Sequence, residues 1–250
     1  VLSEDSRGLK AALDEIYGKL TLNQDDYFFY LVPDALEELR QRDLKQCVKG
    51  CFARTFPVWR SVAALVPWLT DPEYEFAEDS VFVYMDLVGD TATAGMMTIH
   101  YEDALGNYPC NHFPPFPQIE EGDAITEDAF CASYVREYAK KRKISIQDEE
   151  VERLVREHAV RELMLKKSCA NAFFHRDGRI VLFQITYDQE VVNRCALQWQ
   201  EGIRKFWNKM QSRLGRNQVN YVCFISDLLT EADMRSVNIG WNKLSGIFRR

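Results

Sequence analysis

The chain reads as a mixed α/β protein. Three observations predict this. Apolar runs of strand type at 27–32, 81–86, 94–101 and 221–225 alternate with stretches of helical period. A strand–turn–strand unit with small residues in its turn spans 81–101. Late in the chain, Arg176-Asp177-Gly178-Arg179 joins two strand-type runs as a hairpin turn would.

The elements follow in order. Residues 8–20 form a short amphipathic helix, with Leu9, Leu13, Ile16 and Leu20 at helical spacing. Tyr27 to Val32 is a β-type run that Pro33 ends. Helical period returns over 34–53 through Leu36, Leu39, Leu44, Cys47, Val48 and Cys51, and a second helix covers 58–69 before Pro72. Val81 to Asp86 is a buried-type strand, a Gly-containing turn follows, and Ala94 to Tyr101 is the next strand. Four prolines between Pro109 and Pro117 mark 106–123 as a loop or seam. A helix over 126–142 starts from Thr126 as its cap. Another, over 148–167, is introduced by the capping-box-like Ser145-Ile146-Gln147-Asp148 and sets Val151, Leu154, Val155, Ala159 and Leu163 on one face. The hairpin occupies 171–187, and a long helix runs 188–213. Trp199, Ile203, Phe206, Trp207 and Met210 give that helix a core or lobe-packing face. A strand from Tyr221 to Ile225 and a helix over 230–244 close the chain.

Composition narrows the function classes. With 250 residues and 46% hydrophobic content, the chain makes one large domain or two small ones and is neither disordered nor collagen-like. A net charge of −7 argues against a nucleic-acid partner or an anionic membrane surface. No apolar stretch approaches the ~20 residues of a membrane span. The start at Val1, with no leader pattern, reads as a piece of something longer. Seven scattered cysteines without a CxxC pair read as free thiols in a reducing compartment, hence a cytoplasmic protein. Cys47 and Cys51 lie one helical turn apart, but no second ligand pair accompanies them, so a buried helix face is the better reading than a metal site. His100, His112, His158 and His175 form no metal-ligand pattern. Lys140 to Lys143 reads as a solvated helix end. A metal-dependent nuclease is disfavoured, because Phe183-Gln184-Ile185 stands where the acidic residue and lysine would be needed.

The stretch that points to chemistry is Asp86-Leu87-Val88-Gly89-Asp90-Thr91, at the end of a buried strand. Such a turn can offer backbone N–H groups to phosphates, an Asp to a metal-bound water and a Thr hydroxyl. The same residues also serve as an ordinary hairpin turn. Several further stretches stand in a fixed order around it: Leu31-Val32-Pro33 before two helices, Glu127-Asp128-Ala129-Phe130 at a helix head, Lys140 to Lys143, Val155-Arg156-Glu157-His158-Ala159, and Ile185-Thr186 ahead of the long helix. In this order and spacing, from about 25 to 248, the chain resembles the nucleotide-binding domain of DnaK-type seventy-kilodalton heat-shock chaperones, within the actin/hexokinase-like ATPase superfamily.

The resemblance implies an actin-like ATPase (ribonuclease H-like) fold. It implies a remnant of lobe I at 1–77, a phosphate-turn subdomain at 78–115 and 189–250, and an inserted helical and hairpin subdomain at 116–188. ATP and Mg²⁺ would be the cofactors. Asp86 would stand near the metal-bound water, Gly89 would meet phosphate by its N–H and Thr91 by its hydroxyl, and Ser226 and Asp227 would line the nucleoside side.

The departures weaken that site. Val88 and Asp90 replace glycines of the phosphate turn, Ser226-Asp227 replaces the adenine-side Gly-Gly, Ile125-Thr126 replaces another Gly-Gly, Trp59-Arg60-Ser61 stands at the lobe crossing and Glu162-Leu163 replaces an Ala-Lys pair. A carboxylate about 4 Å from a phosphate charge costs roughly 4 kcal/mol at an effective dielectric of 20, enough to remove most of a micromolar affinity unless a Mg²⁺ intervenes. Residues 1–26 hold no first phosphate loop and no catalytic Lys after it, so this chain is expected not to hydrolyse ATP by itself. The alternative is a degenerate ATPase fold kept as a protein-interaction or scaffold module. Either way, a protein partner or client is expected.

Overall fold

The computed structural model describes residues 4–19, 26–34, 36, 38–52, 54–69, 79–99, 110–112, 125–214, 219–228 and 247–248. The chain divides into two units, Val1–Phe76 and Ala77–Arg250.

The first unit holds α1 (Glu4–Lys19), β1 (Phe28–Val32), α2 (Glu38–Cys51), β2 (Thr55–Trp59) and α3 (Arg60–Leu69). Strands β1 and β2 pair in parallel, Phe28 opposite Thr55 and Val32 opposite Trp59. Leu13, Cys47, Val48 and Phe52 form its core, with Phe28 stacked on Phe52 at 3.7 Å between ring centroids. Cys47 is buried there, and the Cys51 thiol donates to Asp14 Oδ1 at 3.2 Å. These two thiols belong to the helix-packing face that their spacing suggested. Strand β2 was not expected, because its start falls outside any pattern and Val58-Trp59 belongs equally to a helical period. Pro57 is compatible with it because only two strands pair in this sheet among the described residues.

The second unit contains a sheet of β3 (Ser80–Asp86), β4 (Thr93–Ile99), β5 (Cys110–His112), β8 (Tyr221–Ser226) and β9 (Ile247–Phe248). Its order is β5-β4-β3-β8-β9. Strand β3 lies at the centre, antiparallel to β4 and parallel to β8. Phe82 to Met85 are 0% exposed, which is why the sequence there is continuously apolar rather than alternating. Gly95 faces Tyr84, and a Cβ at Gly95 would overlap the tyrosine ring. Strands β5 and β9, of three and two residues, were not expected; segments so short carry no periodic signal. The helix expected over 230–244 lies outside the described residues.

Between the sheet strands run α4 (Glu127–Arg142), α5 (Asp148–Arg156), α6 (Ala159–Lys166), β6 (Cys169–Arg176), β7 (Arg179–Thr186) and α7 (Gln189–Leu214). Thr126 caps α4, its hydroxyl accepting from Ala129 N–H at 3.1 Å, and Lys143 ends it in the left-handed region with φ 56°. Glu150 accepts from Gln147 N–H at 2.9 Å, which makes Gln147 the cap residue of α5. The single helix expected over 148–167 is corrected to two. His158 adopts φ 55° and breaks it, while the apolar spacing of Val155, Ala159 and Leu163 runs through the break and hides it.

The β6–β7 turn places Asp177 and Gly178 at φ 48° and 70°, the Asp-Gly hairpin turn that matches strand twist. Ala172, Phe174, Phe183 and Ile185 point into the core, and Phe173, Ile180 and Leu182 point out. On α7, Trp199, Ile203, Phe206, Trp207 and Met210 are all buried in the same core as β3 and β8. Cys47, Cys51, Cys131, Cys169, Cys195 and Cys223 are free thiols. Among the described residues, no helix is long and apolar enough to cross a membrane.

Candidate functional site

Parallel pairing of β3 with β8 brings the carboxyl ends of both strands side by side, with Asp86 opposite Ile225. In open α/β sheets this is where ligands bind. Leu87 N–H extends the pairing to Ile225 C=O at 3.0 Å. The head of α4 then docks onto the turn after β3: Glu127 N–H donates to Leu87 C=O at 2.8 Å and Asp128 N–H to Gly89 C=O at 3.3 Å. Two turns thus meet at one helix N-terminus.

The first turn contains the candidate phosphate residues. Asp86 ends β3, is 2% exposed, and accepts from Val88 N–H through Oδ1 at 3.1 Å. Gly89 has φ 94°, and nothing lies within 4 Å of where a Cβ would be. This conformation and this open space suit close approach by a ligand. Asp90 and Thr91 are exposed. The turn therefore fits a phosphate at Gly89 and Thr91, with Asp90 as an opposing charge. Asp86 is the one carboxylate at this strand end that a metal-bound water would meet; among the described residues, no group of three or more His, Cys, Asp or Glu could hold a metal ion.

The second turn, Ser226-Asp227-Leu228, is differently occupied. Glu127, 0% exposed, accepts through Oε1 from Ser226 hydroxyl at 2.5 Å, from Asp227 N–H, and from Leu228 N–H at 3.0 Å. Three donors converging on one oxygen form an anion-binding nest, and an internal carboxylate fills it. The Glu127 Oε2 atom faces Arg161 Nη2 at 3.1 Å, and the same guanidinium pairs with Asp227. Burial raises the Glu127 pKa above its ordinary value, against the lowering pull of Ser226, Leu228, Arg161 and Asp227. Asp128 is also raised, chiefly by burial and further by Asp90, against the lowering pull of His158 and Arg161. Cys131, one turn further along α4, is pushed up to about 12 by burial and by Glu127 and Asp128. The Ser226-Asp227 turn does not fit a phosphate, since its donors are taken.

Asp227 and Leu228 also line a cavity of about 370 Å³ between α4, the end of α6 and the first half of α7. Phe130 and Trp199 share its lining, their rings 4.6 Å apart, and Trp199 donates its indole N–H to Ile125 C=O at 2.5 Å. Met164 of α6 and Lys167 just after it also line the cavity. A cavity with an aromatic wall and a few polar groups has the form of a small-molecule site.

All five residues singled out in the sequence thus gather at the β3–β8 ends, Asp86, Gly89 and Thr91 on one turn and Ser226 and Asp227 on the other. Sequence reasoning missed Glu127 and Arg161 as the groups that organise the second turn. It also missed the cavity, whose aromatic wall reads only as core.

The chain matches no protein-family model and no curated protein at a significant level. Solved structures do match it. MreB 5 of Spiroplasma citri bound to AMPPNP aligns with TM-score 0.55 and 13% identity over 98% of this chain and 72% of that one. MreB5 of Spiroplasma citri bound to ADP gives TM-score 0.52 and 11% identity over 98% and 71%. At this identity the likeness shows the fold, which is that of the actin-like ATPases.

Proposed function

We propose that the chain is a divergent adenine-nucleotide-binding domain of the actin-like ATPase fold, akin to that of DnaK-type chaperones and weakened in affinity. The observation that carries this reading is the open, positive-φ Gly89 turn after β3, whose parallel partner β8 leads at its own end into Asp227 and Leu228 of the cavity lining. Structural neighbours with this fold hold AMPPNP and ADP, which supports it. Gly89 N–H and the Thr91 hydroxyl would meet phosphate, Asp86 would face a Mg²⁺-bound water, and the cavity beyond Asp227 would take the base. A bound Mg²⁺ would offset the charge of Asp90. Weak affinity follows from Asp90, from the Cβ of Val88 and from the filled nest at Ser226-Asp227.

Calorimetry with Mg-ATP on the whole chain tests this reading. Subtracting the roughly 4 kcal/mol charge penalty from a micromolar site sets about 1 mM as the weak limit of the dissociation constant, and Mg²⁺ that offsets Asp90 brings it lower. Thr91→Ala weakens it further. No heat at several millimolar nucleotide would overturn the proposal.

The second reading, an interaction or scaffold module, is favoured by one observation. Phe173, Ile180 and Leu182 make an apolar strip on the outer face of the β6–β7 hairpin, 58%, 66% and 56% exposed. On that reading a protein partner covers the strip, and changing Leu182 to Lys abolishes its capture without altering the nucleotide titration.

A further inference from the structure

Asp227, one of several polar residues lining the cavity, makes an ion pair whose form suggests a control. Arg161, the third residue of α6, pairs with Asp227, which lines the cavity, and with Glu127, which does not. The two carboxylates differ in freedom. Glu127 is fully buried and held at Oε1 by three donors, whereas the Asp227 side chain is 29% exposed at the end of a turn. Arg161 itself is 18% exposed, so its guanidinium is largely out of water. Three acids face it: Glu127, Asp227 and, through space, Asp128. One guanidinium against three carboxyl groups leaves this cluster net negative when all three are ionised; His158 acts on Asp128, and Lys167 is the cation on the cavity lining itself, so Asp227 is the acid that an entering anion meets there.

We infer that Asp227 is an internal competitor: it occupies the Arg161 guanidinium that a ligand's phosphate group would otherwise take, and so holds the cavity mouth closed to anions. The pair is a latch between α6 and the turn after β8. An anion enters by exchanging with the Asp227 carboxylate, which swings to solvent, while Glu127 stays on Arg161 and on the turn. A guanidinium suits this exchange because its planar fork binds carboxylate and phosphate oxygens in the same geometry. That the anion belongs to a nucleotide rests on the function proposed above; that Asp227 blocks anion access does not.

The structure also identifies the informative variant. Removing Arg161 would leave the buried Glu127 carboxylate without its cation, whereas Asp227→Asn leaves Arg161 paired with Glu127. The test uses two readouts on the whole chain. The first is quenching of Trp199 fluorescence by iodide, isolated by subtracting the same measurement on Trp199→Phe. Asp227→Asn raises the iodide quenching constant of Trp199 about twofold, and leaves quenching by neutral acrylamide nearly unchanged. The second is titration with pyrophosphate and with Mg-ADP, which bind about tenfold more tightly to Asp227→Asn. Arg161→Lys, which keeps the charge but cannot span both carboxylates, moves the iodide readout in the same direction. Unchanged iodide quenching in both variants overturns the latch, and so does weaker pyrophosphate binding to Asp227→Asn, which would make Asp227 part of the ligand site. If iodide access rises and pyrophosphate binds while Mg-ADP binds to neither protein, the latch stands and the nucleotide reading fails.

Discussion

The two turns at the ends of β3 and β8 sit next to each other in one sheet, yet they are finished in opposite ways. The turn after β3 is open: Gly89 takes φ 94° with empty space beside it, and Asp90 and Thr91 face solvent. The turn after β8 is closed, its hydroxyl and two N–H groups spent on Glu127 and its aspartate held by Arg161. The contrast teaches that two neighbouring strand ends of one sheet can be finished differently, one turn left open and the other with its donors turned inward.

Glu127→Ala breaks the comparison most severely. It removes the acceptor shared by the Ser226 hydroxyl and the Asp227 and Leu228 N–H groups, Leu228 N–H keeping Ser226 Oγ at 3.2 Å, and takes one of the two carboxylates from a nearly buried guanidinium. The expected loss is about 3–5 kcal/mol of unfolding free energy, read from the denaturant midpoint. Gly89→Ala tests the open turn. It forces a Cβ into a positive-φ position and costs about 1–2 kcal/mol, while nothing in the Glu127 network changes.

The smallest effect is in pH. The folded state raises the pKa of Glu127 above 4.5, chiefly through burial, so above pH 4.5 the folded protein binds more protons there than the unfolded chain. This group therefore contributes a decline in stability as pH rises from 4.5 up to its folded pKa, and a plateau beyond. In Glu127→Gln that decline disappears. Denaturation midpoints measured at several pH values check the slope, and a wild-type curve that rises with pH over this window with the same slope in the variant would refute the assignment.

Much of the fold was legible in the sequence, for reasons visible in particular residues. Strand β3 is buried on both faces, so its apolar run is unbroken, and the Asp177-Gly178 turn names its own conformation. The break at His158 was invisible because helical spacing continues across it. Strand β2 and the brief β5 and β9 offered too few residues for a pattern. Of the site, Asp86 and Gly89 announced themselves as a strand end and a turn. Glu127 did not, because its partners Ser226 and Asp227 lie 99 and 100 residues away and a glutamate at a helix head has an ordinary local explanation. Arg161 and Asp227 are likewise 66 residues apart, so their meeting depends on tertiary structure alone.

The pairing of β3 with β8 has a consequence for how the protein is made. Asn220 N–H meets Val81 C=O and its side chain meets Val81 N–H, a closure of 139 residues. Such closure is entropically expensive and late, whereas the β3–β4 and β6–β7 hairpins can form from neighbouring sequence. As the chain leaves the ribosome, the most apolar strand of the sheet must wait with one edge bare until residue 221 arrives. That exposed edge is the interval in which the protein most needs shielding from other chains.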